Sequence, residues 1–318
     1  MQEITSSLES EFALVGGDYT NINIIKRRAL SKYLTMQYLP FLEIAAEKYI
    51  MREQVTNTRG CSDFLYVSND NVLISNGFCK NRWCLVCNRI RTAGLINKYQ
   101  EKLDEWKDKQ FVTLTIPNVS STEISKTNSL IHNALYKIKD LSRKKSSGCG
   151  SISGFRKYEC TYNPIRNDFH PHFHMIVENQ KQAEFIHNQW LKRFPNANKV
   201  AQDIRPATTN ATKELFKYFT KLISKQQNDR TIYPAALMHI FANVRGLRVF
   251  QPFGDFYNKI NNNVEEEVFN IERVGIDFDK EKYRWDSTEN DWCNIKTCKN
   301  LTNIEFKQVP WTVDLRTF

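Results

Sequence analysis

No stretch of the 318-residue chain approaches about 18 consecutive apolar residues, the length a bilayer-spanning helix needs. A membrane span is therefore not expected. The opening segment MQEITSSLESEF carries acids and has no apolar core, unlike a secretory signal, which makes the cytoplasm the expected compartment. No Gly-x4-Gly-Lys-Ser/Thr occurs, so no ATP-driven helicase of the phosphate-loop type is expected. No internal repeat is visible. Histidine is scarce, with six in the whole chain, so any clustering of it carries weight.

What is present is enough for a globular protein. The chain is 41% apolar, 12% aromatic and 25% charged, which suits one large domain or two smaller ones. Lysine and arginine number 45 against 35 Asp and Glu, a net charge of +10, and such an excess points to a polyanionic partner. The excess is uneven. Residues 261–318 hold 8 basic against 12 acidic side chains, so the first 260 hold 37 against 23. A nucleic-acid face is expected on the first 260 residues, and the acidic tail reads as a cover or a partner surface.

Hydrophobic periodicity divides the chain into an N-terminal helical segment (1–60), a cysteine-rich module (61–91), a core (92–260) and an acidic C-terminal extension (261–318). Residues 22–54 have helical spacing interrupted by Pro40, which predicts two helices. FLYV and NVLI flank Ser68 to Asn71 as a hairpin. FVTLTIP (111–117), the runs 152–163 and 170–178, 198–206 and 246–252 read as strands, with helices between them over 121–144, 182–194 and 211–224. That order predicts an α+β fold with a mainly antiparallel central sheet and flanking helices.

Three motifs carry chemistry. Four of eight cysteines, Cys61, Cys79, Cys84 and Cys87, fall within 27 positions. Four thiolates at this spacing suit a closed, structural Zn²⁺ site. Lys80, Arg82, Arg89 and Arg91 surround them and make the module basic enough to meet DNA phosphates. The second motif is DFHPHFHMIVE, where His170, His172 and His174 share one face of a strand. Imidazoles so placed converge on a divalent cation, and the preceding strand offers Glu159 on one face with Lys157 and Thr161. The third is TKELFKYFTKLIS, in which Glu214, Lys217, Tyr218 and Lys221 lie off the apolar stripe. Ammonium groups beside a phenol favour its phenolate and help hold a phosphate.

Taken in order, FVTLT (111–115), His172-Phe173-His174 and Tyr218-Phe219-Thr220-Lys221 resemble the motifs of rolling-circle plasmid replication initiator (Rep) proteins of the HUH endonuclease superfamily. Glu214-x3-Tyr218-x2-Lys221 is similar to the subgroup with a single tyrosine and a glutamate one turn before it. Arg82, Cys84, Cys87 and Arg91 also match an Arg-x-Cys-x-x-Cys-x-x-x-Arg element of the family. The resemblance spans roughly residues 75–260.

It implies an HUH endonuclease fold with the four-cysteine zinc module inserted before the first core strand. It also implies a bacterial, metal-dependent nickase and strand transferase. Tyr218 becomes joined to the 5′ phosphate of origin DNA, single-stranded or hairpin, and the freed 3′-OH primes a polymerase. His172 and His174 are the matching metal ligands, with Glu159 or His170 as a third, for Mn²⁺ or Mg²⁺. Glu214 is implied in the second, terminating cleavage. A host helicase, polymerase and single-strand binding protein are implied partners, and an oligomer is compatible. Base readout is expected to be shared by the strand surface and the basic loop Arg143, Lys144 and Lys145. Two other readings stay open: an HUH transposase or relaxase, and a non-enzymatic zinc-containing DNA-binding regulator.

Overall fold

A computed structural model describes residues 21–67, 73–208, 211, 215, 231–254, 281–306 and 312–316. In chain order the helices are α1 (Asn21–Ala46), α2 (Arg52–Arg59), α3 (Leu85–Asp104), α4 (Ile124–Ser142), α5 (Gln180–Arg193) and α6 (Pro234–Asn243). The strands are β1 (Phe64–Val67), β2 (Leu73–Asn76), β3 (Gln110–Thr115), β4 (Gly154–Asn163), β5 (Asp168–Val177) and β6 (Asp203–Pro206). They continue with β7 (Thr231–Ile232), β8 (Phe250–Phe253), β9 (Glu281–Asp286), β10 (Asp291–Asn294) and β11 (Thr312–Val313). The expected α+β class with antiparallel sheets and flanking helices is what forms. Two compact units divide the chain: residues 1–94 with 265–311, and residues 95–264 with 312–318. Among the described residues, no helix is long and apolar enough to cross a membrane.

In the first unit, α1 continues through Pro40 rather than breaking there as its sequence predicts. Its buried stripe explains why. Ile25, Ala29, Tyr33, Leu34, Tyr38, Leu39, Leu42 and Ala46 recur at helical spacing, and Leu39 and Leu42 on either side of Pro40 are fully buried. A proline inside a helix costs about 3 kcal/mol. Burying two leucines stabilises the helix by roughly 3–6 kcal/mol, which outweighs that cost. Pro40 itself stays exposed. The chain turns only after Ala46, through a short 3₁₀ turn that ends at Ile50 in the left-handed region (φ 55°).

The sheet of this unit is antiparallel in the order β10-β9-β1-β2. β1 pairs on one side with its hairpin partner β2 and on the other with β9, more than 200 residues away in sequence. Trp285 and Trp292 meet edge to face at 4.9 Å, and the Trp292 indole donates to the Ser62 carbonyl at 3.0 Å. Residues 281–294, within the segment that reads in sequence as an acidic extension, therefore supply half of this sheet.

The second unit holds a five-stranded antiparallel sheet in the order β6-β3-β5-β4-β8. Its centre is the β4–β5 hairpin, two ten-residue strands in register from Gly154↔Val177 to Asn163↔Asp168. Alternation along β5 separates two faces. Phe173 and Met175 turn to a core with Tyr158, Trp190 of α5 and Ile131 and Leu135 of α4. On the opposite face, Phe155 lies 4.7 Å from the ring of Tyr99 in α3. Its register partner Ile176 is also buried there. Moving along that face toward the hairpin tip, the apolar pair gives way to Lys157↔His174, then Glu159↔His172, then Thr161↔His170. The chemistry sits where the apolar cover stops.

Candidate metal centres

The β4–β5 register brings Glu159, His172 and His174 together, with one ligand atom from each lying within 4.8 Å of the others. Glu159 Oε2 is 3.3 Å from His172 Nε2 and 3.1 Å from His174 Nε2. Each imidazole is held from behind. His172 Nδ1 donates to the His170 carbonyl at 2.9 Å, and His174 Nδ1 lies 3.1 Å from the Thr113 hydroxyl on β3. Occupying Nδ1 in this way leaves Nε2 as the ring's acceptor.

Burial pushes the His174 pKa down, toward the neutral form a metal requires. Burial pushes the Glu159 carboxyl up, but the Lys157 ammonium and the two imidazoles outweigh it and hold the group well below the usual carboxylate range. Lys157 is buried, with its Nζ 2.5 Å from Glu159 Oε1. Two imidazole lone pairs and a carboxylate oxygen facing one another repel, and a proton or a metal cation between them removes that repulsion. The donor set therefore fits a divalent ion, and one carboxylate with two imidazoles leaves coordination positions for substrate oxygens. The side chains are 9–23% exposed, so the group is reachable from one side.

His170 stands apart from this group. Its Nδ1 donates to Asn118 Oδ1 at 2.8 Å, its ring centroid lies 5.0 Å from that of His172, and burial lowers its pKa to about 4. Of the two candidates for third ligand, Glu159 is the one the register brings to His172 and His174. Sequence reasoning missed Thr113 and the contact of Lys157 with Glu159. The alternation of FVTLT would have placed Thr113 on the histidine face had the β3–β5 pairing been known.

The cysteine cluster forms in the first unit. Sγ of Cys61 lies 3.5 Å from those of Cys84 and Cys87, and Cys79 Sγ lies 3.7 Å from Cys87. All four sulfurs are within 4.8 Å of one another. Sulfurs at the corners of a tetrahedron around Zn²⁺, each about 2.3 Å from the ion, stand about 3.8 Å apart, so the cluster is already near that size. Backbone amides of Cys79 and Asn81 donate to the sulfurs of Cys61 and Cys79. Hydrogen bonds from the other three cysteines pull the Cys79 thiol down, while burial pushes Cys84 and Cys87 up. A bound cation would release those remaining protons.

The scaffold around the cluster is built from α1 and α2. Lys32 of α1, 2% exposed, donates to the Cys61 carbonyl at 2.7 Å and to Asp63 Oδ1 at 3.0 Å. The Tyr38 hydroxyl donates to the Trp83 carbonyl, and the Trp83 indole donates to Thr58 Oγ1 at 2.9 Å.

The basic residues expected at DNA differ in exposure. Arg91 is buried and donates to the carbonyls of Lys80 and Asn81, bracing the cysteine loop. Arg89 is half-buried and reaches the Arg27 carbonyl at 3.4 Å, and Arg82 is half-buried. Arg143, Lys144 and Lys145 are exposed, with Arg143 3.3 Å from Asp140. Glu214, Tyr218 and Lys221 lie outside the described residues.

A family profile, Rep_1, described as "Replication protein", matches residues 70–292, a span that takes in Glu159, His172 and His174 and three of the four clustered cysteines, Cys61 lying before it. The chain is similar to a "Protein rep" of Staphylococcus aureus, 29% identical over 192 residues that cover 54% of this chain and 82% of the relative. It is also similar to a "Protein rep" of Lentilactobacillus hilgardii, 22% identical over 281 residues that cover 79% and 86%. A "Protein rep" of Streptococcus pneumoniae is 28% identical over 106 residues, 31% of this chain and 32% of the relative. No solved structure matches the chain.

Proposed function

Since the chain belongs to the replication protein family, we propose that it initiates rolling-circle replication of a plasmid by nicking one strand of origin DNA. The observation that carries this reading is the convergence of Glu159, His172 and His174 on one face of the sheet, largely buried and reachable from one side. A metal-ligand group beside single-stranded DNA is what phosphoryl transfer at an origin needs, and the net positive charge of the first 260 residues suits the substrate.

Glu159, His172 and His174 would hold Mn²⁺ or Mg²⁺, and the ion when bound polarises the scissile phosphoryl group. The phenolic oxygen of Tyr218 forms the new bond to phosphorus, and the bond from phosphorus to the 3′ oxygen breaks. The phenol gives up its proton as it attacks, and the departing 3′ oxygen takes one to become the primer hydroxyl. Lys221, three residues after Tyr218 in sequence, favours the phenolate and pairs with the phosphate. Thr113 and the His170 carbonyl orient the two imidazoles throughout. With Tyr218 occupied, termination uses Glu214. It lies four residues before Tyr218 in sequence, and as a general base on water it releases the second strand without a second covalent link. The 3′-OH freed by that cleavage then attacks the phosphorus joined to Tyr218, the bond from phosphorus to the phenolic oxygen breaks, and the displaced strand closes into a circle as Tyr218 regains its proton.

In this reading the four-cysteine cluster holds Zn²⁺ as a structural ion, and its basic surroundings contact DNA backbone. Origin DNA is the partner, and a host helicase, polymerase and single-strand binding protein complete the machinery in the bacterial cytoplasm. The test is nicking of a single-stranded origin hairpin in Mn²⁺. Wild type is expected to cut, and the His172→Ala, His174→Ala double variant to be inactive while still binding the hairpin. Full nicking by the double variant would remove the metal assignment. Binding without nicking by wild type would favour a DNA-binding regulator instead.

A further inference from the structure

The four-stranded sheet of the first unit turns one face inward and the other to solvent. Leu65 and Val67 of β1 and Trp285 of β9 are buried on the inner face. On the outer face β1 presents Phe64 and Tyr66, both half-buried, and β9 presents Lys282 and Arg284, both exposed. The register sets them side by side as Phe64↔Arg284 and Tyr66↔Lys282. Lys282 Nζ lies 4.5 Å from the Phe64 ring and 5.7 Å from the Tyr66 ring, and the Arg284 guanidinium lies 5.9 Å from the Phe64 ring. None of these four side chains takes part in nicking as proposed above. We propose that this face is a platform for single-stranded DNA, on which bases stack against Phe64 and Tyr66 while Lys282 and Arg284 take the flanking phosphates. The proposal rests on the chain acting on DNA, and not on the metal-ligand group being the nicking centre.

Ring spacing selects a single strand. Side chains two residues apart on a strand share a face and stand about 7 Å from each other. That is about twice the 3.4 Å step along one strand of a duplex, so two bases seated on these rings must be parted from each other. Splayed bases of a single strand bind in this way on the aromatic rings of a sheet face, and such stacking tolerates any base. A duplex, whose bases cover one another, has nothing to offer either ring.

Charge selects a polyanion. Residues 261–318 hold 12 acids against 8 bases, yet the surplus lies wholly in 261–280, with 6 against 2, and residues 281–318 hold 6 of each. The described acids of β9 and β10 are engaged away from the platform. Glu281 turns to the inner side, where the Tyr283 hydroxyl and Asn294 Nδ2 donate to it. Asp291 is buried and accepts from the amides of Thr302 and Asn303, both at 2.8 Å. Asp286 accepts from the amides of Thr288 and Glu289 in the turn that follows β9. Among the described residues, Lys282 and Arg284 therefore rest on rings rather than on carboxylates. A cation over an exposed ring is held weakly, so a phosphate draws it off and leaves the ring to a base.

The experiment uses the full chain with zinc bound, no Mn²⁺, and a mixed-sequence single strand of DNA carrying 5-iododeoxyuridine. Irradiation should join the DNA to Phe64 or Tyr66, as read by peptide mapping. The Phe64→Leu, Tyr66→Leu double variant keeps apolar bulk and removes both ring faces. It should lose those crosslinks and bind single strands about tenfold more weakly by anisotropy, with its zinc content unchanged. The Lys282→Gln, Arg284→Gln double variant, altered only at exposed positions, should make the slope of log K against log salt shallower by about 1.4. Both variants should bind duplex DNA as wild type does. Crosslinks confined to other residues, affinity and slope unchanged in the two variants, or equal losses on duplex would each overturn the platform. Nicking in Mn²⁺, measured beside binding, separates the two claims. Crosslinks at Phe64 or Tyr66 without nicking would overturn the nicking reading and leave the platform standing, and nicking without such crosslinks would overturn the platform alone.

Discussion

Replacing Thr113 with valine tests how the imidazoles of the metal-ligand group are held. Thr113 faces His174 across the β3–β5 register, with its hydroxyl 3.1 Å from Nδ1. Valine keeps the branched shape a strand favours and removes the oxygen. The ring then loses the partner that keeps Nε2 turned to Glu159. Removing such an outer partner of a ligating histidine costs about 10–100-fold in metal affinity, or roughly 1.4–2.7 kcal/mol. His174 is 23% exposed, so water can replace part of what is lost, and the expected loss is at the lower end, about tenfold. The assay is titration of the zinc-loaded protein with Mn²⁺, reading free Mn²⁺ by electron paramagnetic resonance. Thr113→Ser, which retains the oxygen, should bind within a few-fold of wild type. Valine binding as tightly as wild type would refute the reasoning. Serine binding as weakly as valine would show that shape, not the hydrogen bond, is what matters.

Three further outcomes are expected. Metal analysis should return about one zinc per chain, and Cys84→Ser should lose it together with the thermal transition of the unit that holds α1 and β1; retained zinc would remove the four-cysteine assignment. Burial, and then Arg156, lowers the pKa of His132 to about 4, so the unfolded chain binds the extra proton between about pH 6.5 and 4. Stability is full above that window and falls through it by up to about 1.4 kcal/mol per pH unit; denaturant titrations of His132→Gln should show a slope smaller by one proton, and equal slopes would contradict the shift. Glu214→Ala should form the first covalent adduct but fail to resolve multimeric displaced strands in a replication assay; loss of first nicking with unchanged metal content would move Glu214 into the first step.

The histidine strand was legible because its period of two survives any surroundings, and Glu159 because a hairpin of two ten-residue strands with a short turn leaves little freedom in register. The cysteine set was legible from spacing, since four ligands so close in sequence need only a hairpin and a helix start to converge. Other features depend on partners far away in sequence. Thr113 meets His174 through a pairing of residues 61 positions apart, and β9 finds β1 across most of the chain. Pro40 reads as a break until the buried leucines around it are counted. Arg91 reads as a DNA contact from its charge, yet its guanidinium is folded onto the carbonyls of the cysteine loop. Charge patterning reports composition, and only packing reveals which cations are left for a ligand.

The most direct test of nicking is the identity of the covalent link. Full-length protein is incubated with single-stranded origin hairpin and Mn²⁺, digested, and the DNA-bearing peptide is mapped by mass spectrometry. The account predicts a 5′-phosphate on Tyr218, formed by wild type, absent in Tyr218→Phe, and absent in the His172→Ala, His174→Ala double variant. DNA attached to Tyr233 or Tyr257, or an adduct that forms unchanged without Tyr218, would contradict it.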